Sequence, residues 1–298
     1  MDGTLLRLTE GRFTSSAVGR EVDHLALAPA DLSEGERLPL VLHLHGALSS
    51  AASLERARPL YEDLFRRGAF PRAVVACVST PTSGGFYLDR PDGGAWETLV
   101  ADEFPARLAE RYGAFTATAL VGASMGGYGA LKAAFGAPER FAAVAAVSPA
   151  VFPGETPDGV PSANLPSLLG ELHRDMGGGT GDPEAYARVS AQGRARRNAG
   201  RIRAAGLRVL IDCGAADEFL LHEGAAHLHA VLDELGIHHV FRLVAGAGHL
   251  GPEAEIRTRE AIRFAGAAIG APAGGDHEED REDQEGRNPA IVTETPLR

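Results

Sequence analysis

Short apolar runs and helically spaced ones take turns along most of this chain. Residues 13–28 alternate loosely, with Val18, Val22, Leu25 and Leu27 among the apolar positions, and predict an antiparallel strand pair at a sheet edge. After a polar turn at 29–39, residues 40–46 (Leu-Val-Leu-His-Leu-His-Gly) read as a buried strand. Residues 54–68 place Leu54, Ala57, Leu60, Tyr61 and Leu64 at helical spacing and stop at Gly68. A third apolar run, 73–79, reads as a strand, and a Gly- and Pro-rich loop follows over 80–94. Residues 96–112 predict one long helix with Leu99, Phe104 and Leu108 on one side. The stretch 117–131 predicts a buried strand, a tight turn at Ser124 and the start of a helix. Later strands are predicted at 141–147, 208–213 and 239–244, and helices at 222–235 and 253–269.

This rhythm predicts an α/β fold: a mostly parallel central sheet with helices on both faces and an antiparallel N-terminal edge. Residues 1–270 are expected to form one domain. Between about 151 and 200 the rhythm breaks into a Gly- and Pro-rich segment with weakly helical pieces at 165–176 and 183–198. That segment reads as an insertion over the site that shapes substrate access; the alternative is a helical connection without substrate contact. Residues 271–298 are polar, with a run of acids from Asp276 to Glu285, and are expected to be a disordered tail.

Composition removes several function classes. The net charge of −11 over 298 residues, with no basic patch, argues against a nucleic-acid partner. Five arginines in 194–203 read as a solvated helix face, and Lys132 is the only lysine. Cys77 and Cys213 both sit in apolar runs and read as small buried residues rather than a disulfide or metal pair. No apolar run reaches the ~18 residues of a membrane span, so no membrane partner is expected. The N-terminus lacks the basic start, apolar core and cleavage site of a secretory signal, which makes the cytoplasm the expected compartment. A homo-oligomer is left open.

The candidate chemistry starts at Gly122-Ala-Ser-Met-Gly126. A Gly-x-Ser-x-Gly turn between strand and helix lifts a serine hydroxyl above a sheet edge. With 37 glycines and 13 serines, chance supplies such a match roughly 0.2 times, so the turn needs partners. A serine becomes nucleophilic when a neutral imidazole takes its proton, and a carboxylate must orient that imidazole. On a parallel α/β sheet the chain order is serine, acid, histidine. Ser124, Asp217 and His249 follow that order, each just beyond a predicted strand. Glu218, beside Asp217, is the alternative acid. The amides of Met125 and of Ala47, in the loop after the 40–44 strand, are expected to form the oxyanion hole, with Gly46 letting the backbone turn. His45, Phe86, Tyr87 and Leu250 are candidates for shaping the substrate pocket. His43 and His45 stand two apart on a strand with no carboxylate near in sequence, so no metal and no cofactor is expected. The expected partner is a small-molecule ester.

Several ordered pieces resemble the esterase D branch of the α/β-hydrolases, which also holds S-formylglutathione hydrolases and bacterial mycolyltransferases. They are Leu42-His-Leu-His-Gly46, Trp96-Glu97 with Glu103-Phe-Pro105, Val121 to Leu131, Asp212-Cys-Gly-Ala-Ala-Asp217 and Gly246-Ala-Gly-His249. The resemblance implies an α/β-hydrolase fold and ester cleavage through an acyl-enzyme. It gives Ser124 as nucleophile, Asp217 as acid, His249 as base and the amides of Ala47 and Met125 as oxyanion hole. Thioester hydrolysis and acyl transfer are the alternatives within that branch, and a non-catalytic binding protein on the same fold is the remote one. The chain departs from many relatives in carrying Leu250-Gly251 after the histidine where they carry Asp-Trp. Mycolyltransferases use a glutamate where Asp217 stands.

Overall fold

The computed structural model describes residues 5–91, 93–154, 159–178, 182–270 and 290–294. The chain opens with β1 (Leu6–Ser15), β2 (Arg20–Pro29) and β3 (Leu40–Leu44), then α1 (Ser53–Arg66) and β4 (Val74–Val78). A short ribbon, β5 (Asp89–Arg90) and β6 (Gly94–Ala95), leads into α2 (Trp96–Thr98) and α3 (Phe104–Tyr112). β7 (Thr118–Ala123), α4 (Met125–Gly136) and β8 (Ala143–Val147) follow. The next segment holds α5 (Leu168–His173), α6 (Pro183–Val189) and α7 (Ala191–Ala205). β9 (Arg208–Gly214), α8 (Leu221–Glu234), β10 (Val240–Val244), α9 (Pro252–Gly270) and β11 (Ala290–Glu294) complete it.

Among the described residues the main sheet has the order β1-β2-β4-β3-β7-β8-β9-β10-β11. The six strands from β4 to β10 in that order are parallel to one another. β1, β2 and β4 pair antiparallel at one edge, and β11 pairs antiparallel with β10 at the other. The inner strands are apolar runs rather than alternations because both sheet faces are covered. Leu40, Leu42 and Leu44 point with Val74, Ala76 and Val78 into one layer, beneath α3, α4, α7 and α8. Val41, Val75, Cys77 and Val121 point into the other, beneath α1 and α9. Successive side chains of a strand face opposite ways, so a run of this kind feeds two cores at once.

Three departures from the sequence reading have physical causes. The helix predicted at 96–112 is interrupted by a wide π-type turn over Leu99–Glu103, in which the Phe104 amide bonds back to Leu99. Pro105 lacks the N–H that would bond Ala101 and its ring crowds that carbonyl, so the ladder widens there. The piece predicted at 183–198 splits at Ser190, whose extended backbone breaks the helix and whose hydroxyl caps the Gly193 amide of α7. The third departure concerns the arginines of α7, which are not simply solvated. Arg194 reaches inward to Glu97 and to the Lys132 carbonyl, while Arg196 and Arg201 pair with Glu234 and Glu139. The expected disordered tail lies mostly at 271–289 and 295–298, outside the described residues; its 290–294 piece is the edge strand β11.

Candidate active site

Ser124 stands between β7 and α4 at φ 55° and ψ −119°, outside the conformations an L-residue favours. A residue held there costs about 1–3 kcal/mol, so its surroundings must over-determine it. Three backbone hydrogen bonds do so. The Ser124 amide donates to the Val147 carbonyl at 2.9 Å, and its carbonyl accepts from the Tyr128 and Ala150 amides at 3.0 Å each. The flanking glycines are required by close approach. A Cβ on Gly122 would sit 2.3 Å from the Gly126 carbonyl oxygen, and one on Gly126 would sit 2.1 Å from that of Leu44. Met125 is the first residue of α4, where an amide has no partner within its own helix.

The loop after β3 lies beside this turn. Gly46 is close enough that its Cβ would meet the Ser124 Cβ at 3.8 Å, an ordinary contact. Its backbone is not in the left-handed region, whereas that of Leu48, two residues on, is, at φ 58°. Ala47 is half-buried at this edge. His45 is buried beneath it: its Nε2 accepts from the Thr80 amide at 3.0 Å, which leaves Nδ1–H to donate to the Gly46 carbonyl at 2.9 Å. Burial holds the imidazole below its ordinary pKa, matching that neutral form. Tyr87 donates its hydroxyl to the His45 carbonyl at 2.9 Å. Lys132 in turn donates to the Tyr87 carbonyl and to Glu97, each at 2.7 Å, and Glu97 also binds Arg194. Phe86 and Tyr87, both at positive φ, are buried, as is His45. His45 and Tyr87 therefore support the loop from beneath instead of facing a substrate, which differs from the pocket-lining role expected of them, and Phe86 is buried in the core layer beside them.

The acid and the histidine come from the loops after β9 and β10. The two loops are stitched together by the Ala215 and Ala216 amides, which donate to the Val244 and Ala247 carbonyls at 2.9 Å. Asp217 Oδ2 accepts from His249 Nδ1 at 2.8 Å, and its Oδ1 accepts from the Phe219 amide at 3.0 Å. Burial alone would raise the Asp217 pKa. The bond to His249, its charge, and the Phe219 and Leu221 amides outweigh burial and hold the carboxyl below the usual range. Glu218 binds the His249 main-chain amide at 2.7 Å and not its ring. His43, the other histidine of the β3 run, is half-buried against the Tyr61 hydroxyl at 3.1 Å, and desolvation of its ring takes its pKa down to about 4.

Several residues of this region carried no readable signal in the sequence. Arg257 of α9 is buried beneath the histidine loop and donates to the Gly248 carbonyl at 2.8 Å, the Ser148 hydroxyl at 2.9 Å and Asp212 at 3.3 Å. Burial pushes the Asp212 carboxyl up to about 6. Phe219 sets its ring edge against His249, with centroids 4.8 Å apart. Leu48, Phe219 and Leu250 are exposed on the loops after β3, β9 and β10, so apolar surface rims this edge. Burial pushes the Cys77 and Cys213 thiols up to about 12, which leaves neither a nucleophile. Taken together, the carboxyl edge of the sheet holds a strained serine, free helix-start amides, and an imidazole oriented by a carboxylate. Hydroxyl activation and oxyanion stabilisation call for groups of these kinds.

Among the described residues no helix is long and apolar enough to cross a membrane. A family model described as "Putative esterase" matches residues 15–244. No curated protein matches the chain. Solved structures do. A ferulic acid esterase superposes with a TM-score of 0.72 at 18% identity, covering 90% of this chain and 100% of that one. An S-formylglutathione hydrolase from Agrobacterium tumefaciens gives 0.70 at 20%, covering 90% and 98%. A fluorophosphonate-binding serine hydrolase of Staphylococcus aureus gives 0.62 at 16%, covering 90% and 100%. These likenesses show the α/β-hydrolase fold.

Proposed function

The chain belongs to this esterase family, and from that premise we propose that it cleaves small carboxylic esters through an acyl-enzyme formed on Ser124. The Ser124 hydroxyl attacks the ester carbonyl while His249 Nε2 takes its proton. Asp217 holds the imidazole by Nδ1 and balances its positive charge. The carbonyl oxygen becomes an oxyanion facing the Ala47 and Met125 amides. Collapse expels the alcohol, which receives the proton from His249; water then attacks the acyl-serine by the same route and frees the acid. The observation that carries the reading is the 2.8 Å Asp217–His249 bond at the same sheet edge as the strained Ser124.

The same reading takes in the rest of the chain. The 151–200 segment shapes access to the site, supported by Asn164 donating to the Phe219 carbonyl at 2.9 Å and Ser83 donating to Glu171 at 3.1 Å. Leu250, with Leu48 and Phe219, offers the acyl or alcohol group an apolar rim. Residues 1–270 act as one domain in the cytoplasm, where both buried cysteines stay free; cell fractionation checks the location. Thioester hydrolysis is the second reading, in line with the likeness to the S-formylglutathione hydrolase. A panel of p-nitrophenyl esters of increasing chain length, run beside S-formylglutathione, separates the two. Turnover of oxygen esters supports the first; turnover confined to the thioester replaces it with the second; turnover of neither removes both.

A further inference from the structure

At the opposite, amino-terminal edge of the sheet, three metal-ligating side chains that ester cleavage does not use come together. His229 and Asp233 lie one turn apart on α8, and His239 enters β10. One donor atom from each falls within 4.8 Å of the others. His229 Nδ1 and His239 Nε2 face each other at 2.7 Å, and Asp233 Oδ2 lies 3.5 Å from His229 Nε2.

We propose that His229, Asp233 and His239 bind one divalent ion of the zinc class. The hydrogen-bond pattern around His239 carries the argument. Its Nδ1 is 2.8 Å from the Ile237 carbonyl, which can only accept, so Nδ1 bears the proton and Nε2 presents a lone pair toward His229. A backbone carbonyl fixing one imidazole nitrogen so that the other is free to ligate is the usual support of a metal-bound histidine. The rings are also held in place. His239 is buried, and His229 stacks on Phe241 with centroids 4.5 Å apart and planes 14° from parallel. At present one proton bridges the two imidazoles. Two Zn–N bonds of about 2.0–2.1 Å at a tetrahedral angle set the nitrogens roughly 3.3 Å apart, so the rings need to part by about 0.6 Å. His229 moves its remaining proton to Nε2 when Nδ1 takes the metal. The exposed Asp233 carboxylate, which lies 3.5 Å from His229 Nε2, swings toward Nδ1 to supply the third ligand, and water is the fourth. Two imidazoles and one carboxylate suit zinc better than magnesium or calcium, which prefer oxygen-only shells.

The test uses the full chain stripped with EDTA and freed of chelator, titrated with Zn²⁺ by calorimetry and followed by thermal melting. Cobalt substitution reports imidazole ligation through its visible bands. The expected result is one saturable site in the wild type, a rise in Tm on adding Zn²⁺, and affinity at least about tenfold weaker in both His229→Gln and Asp233→Ala. Asp233 is on the surface, so its variant stays informative if the histidine variant fails to fold. No saturable site in the wild type, or equal affinity in a folded variant, overturns the proposal and leaves the imidazole pair as a structural hydrogen bond. Ester turnover is measured alongside and is expected to be indifferent to EDTA, so this site and the Ser124 reading stand or fall separately.

Discussion

Removing Arg257 should unfold the region beneath His249 in a pH-dependent way. The Arg257 side chain is 4% exposed and that of Asp212 1%, and they meet at 3.3 Å. Arg257→Met leaves the buried carboxylate without its bonded counter-charge, with Arg242 the remaining cation that acts on it, and breaking such a pair costs about 3–5 kcal/mol. The sign of the pH dependence follows from Asp212. Burial has raised its pKa from the ordinary 3.8 to about 6, so between those values the native state holds a proton that the unfolded chain does not. Stability from this group therefore falls as pH rises from about 4 to about 6. Taking away Arg257 removes a charge that was lowering the pKa, so the fall extends to higher pH. The variant should lie near wild type at pH 5 and show its full deficit at pH 8, as read by urea denaturation. Asp212→Leu/Arg257→Met removes both charges and should recover most of that loss. The rate should not recover with it. Nη2 also holds the Gly248 carbonyl, and freeing the peptide before His249 should cut kcat by about 10- to 100-fold in both variants. An Arg257→Met protein within about 1 kcal/mol of wild type at pH 8 would refute the electrostatic argument. A double variant with normal kcat would refute the positioning one.

The other predictions concern the oxyanion loop. Gly126→Ala places a methyl 2.1 Å from the Leu44 carbonyl oxygen and 2.8 Å from that of His45. It should cost about 1–3 kcal/mol and lower kcat more than it changes KM; Gly46→Ala, whose methyl meets nothing nearer than 3.5 Å, is the stability control. Glu97→Gln leaves the buried Lys132 and Arg194 without their shared carboxylate and should cost about 3–5 kcal/mol at pH 7. Burial already holds Lys132 below its ordinary pKa of 10.5, and the loss of Glu97 lowers it further. The unfolded chain then binds more protons, so stability should rise with pH toward 10 and the deficit shrink. Urea midpoints at pH 7 and 9.5 check the direction.

What could be read in the sequence was what local pattern records. Leu40–Leu44 and Val74–Val78 are apolar because both sheet faces are covered, and such runs stand out between Pro and Gly. Ser124, Asp217 and His249 are legible as candidates because each follows a strand of the same sheet, β7, β9 and β10. Arg194 is not legible as an inward-facing residue because its partner Glu97 is 97 positions away, and no local spacing marks a charge that a distant carboxylate draws inward. Arg257 looks like any helix arginine until α9 packs over β8 and β9. The π-type turn before Pro105 was hidden because apolar spacing continues through it. Phe86 and Tyr87 looked like loop residues free to meet a substrate. Tyr87 is held by the His45 carbonyl of the β3 loop and by Lys132 of the nucleophile helix, and Phe86 is buried in the same core layer, partners that only the assembled chain supplies.

In the proposed reaction Ser124 carries the acyl group. Treating the protein with a fluorophosphonate and mapping the adduct by peptide mass spectrometry tests it most directly. The expected result is one adduct per chain, on Ser124, with none in Ser124→Ala, whose p-nitrophenyl acetate turnover should fall by about 10⁴- to 10⁶-fold. An adduct on another residue, or near-normal turnover by Ser124→Ala, would contradict it.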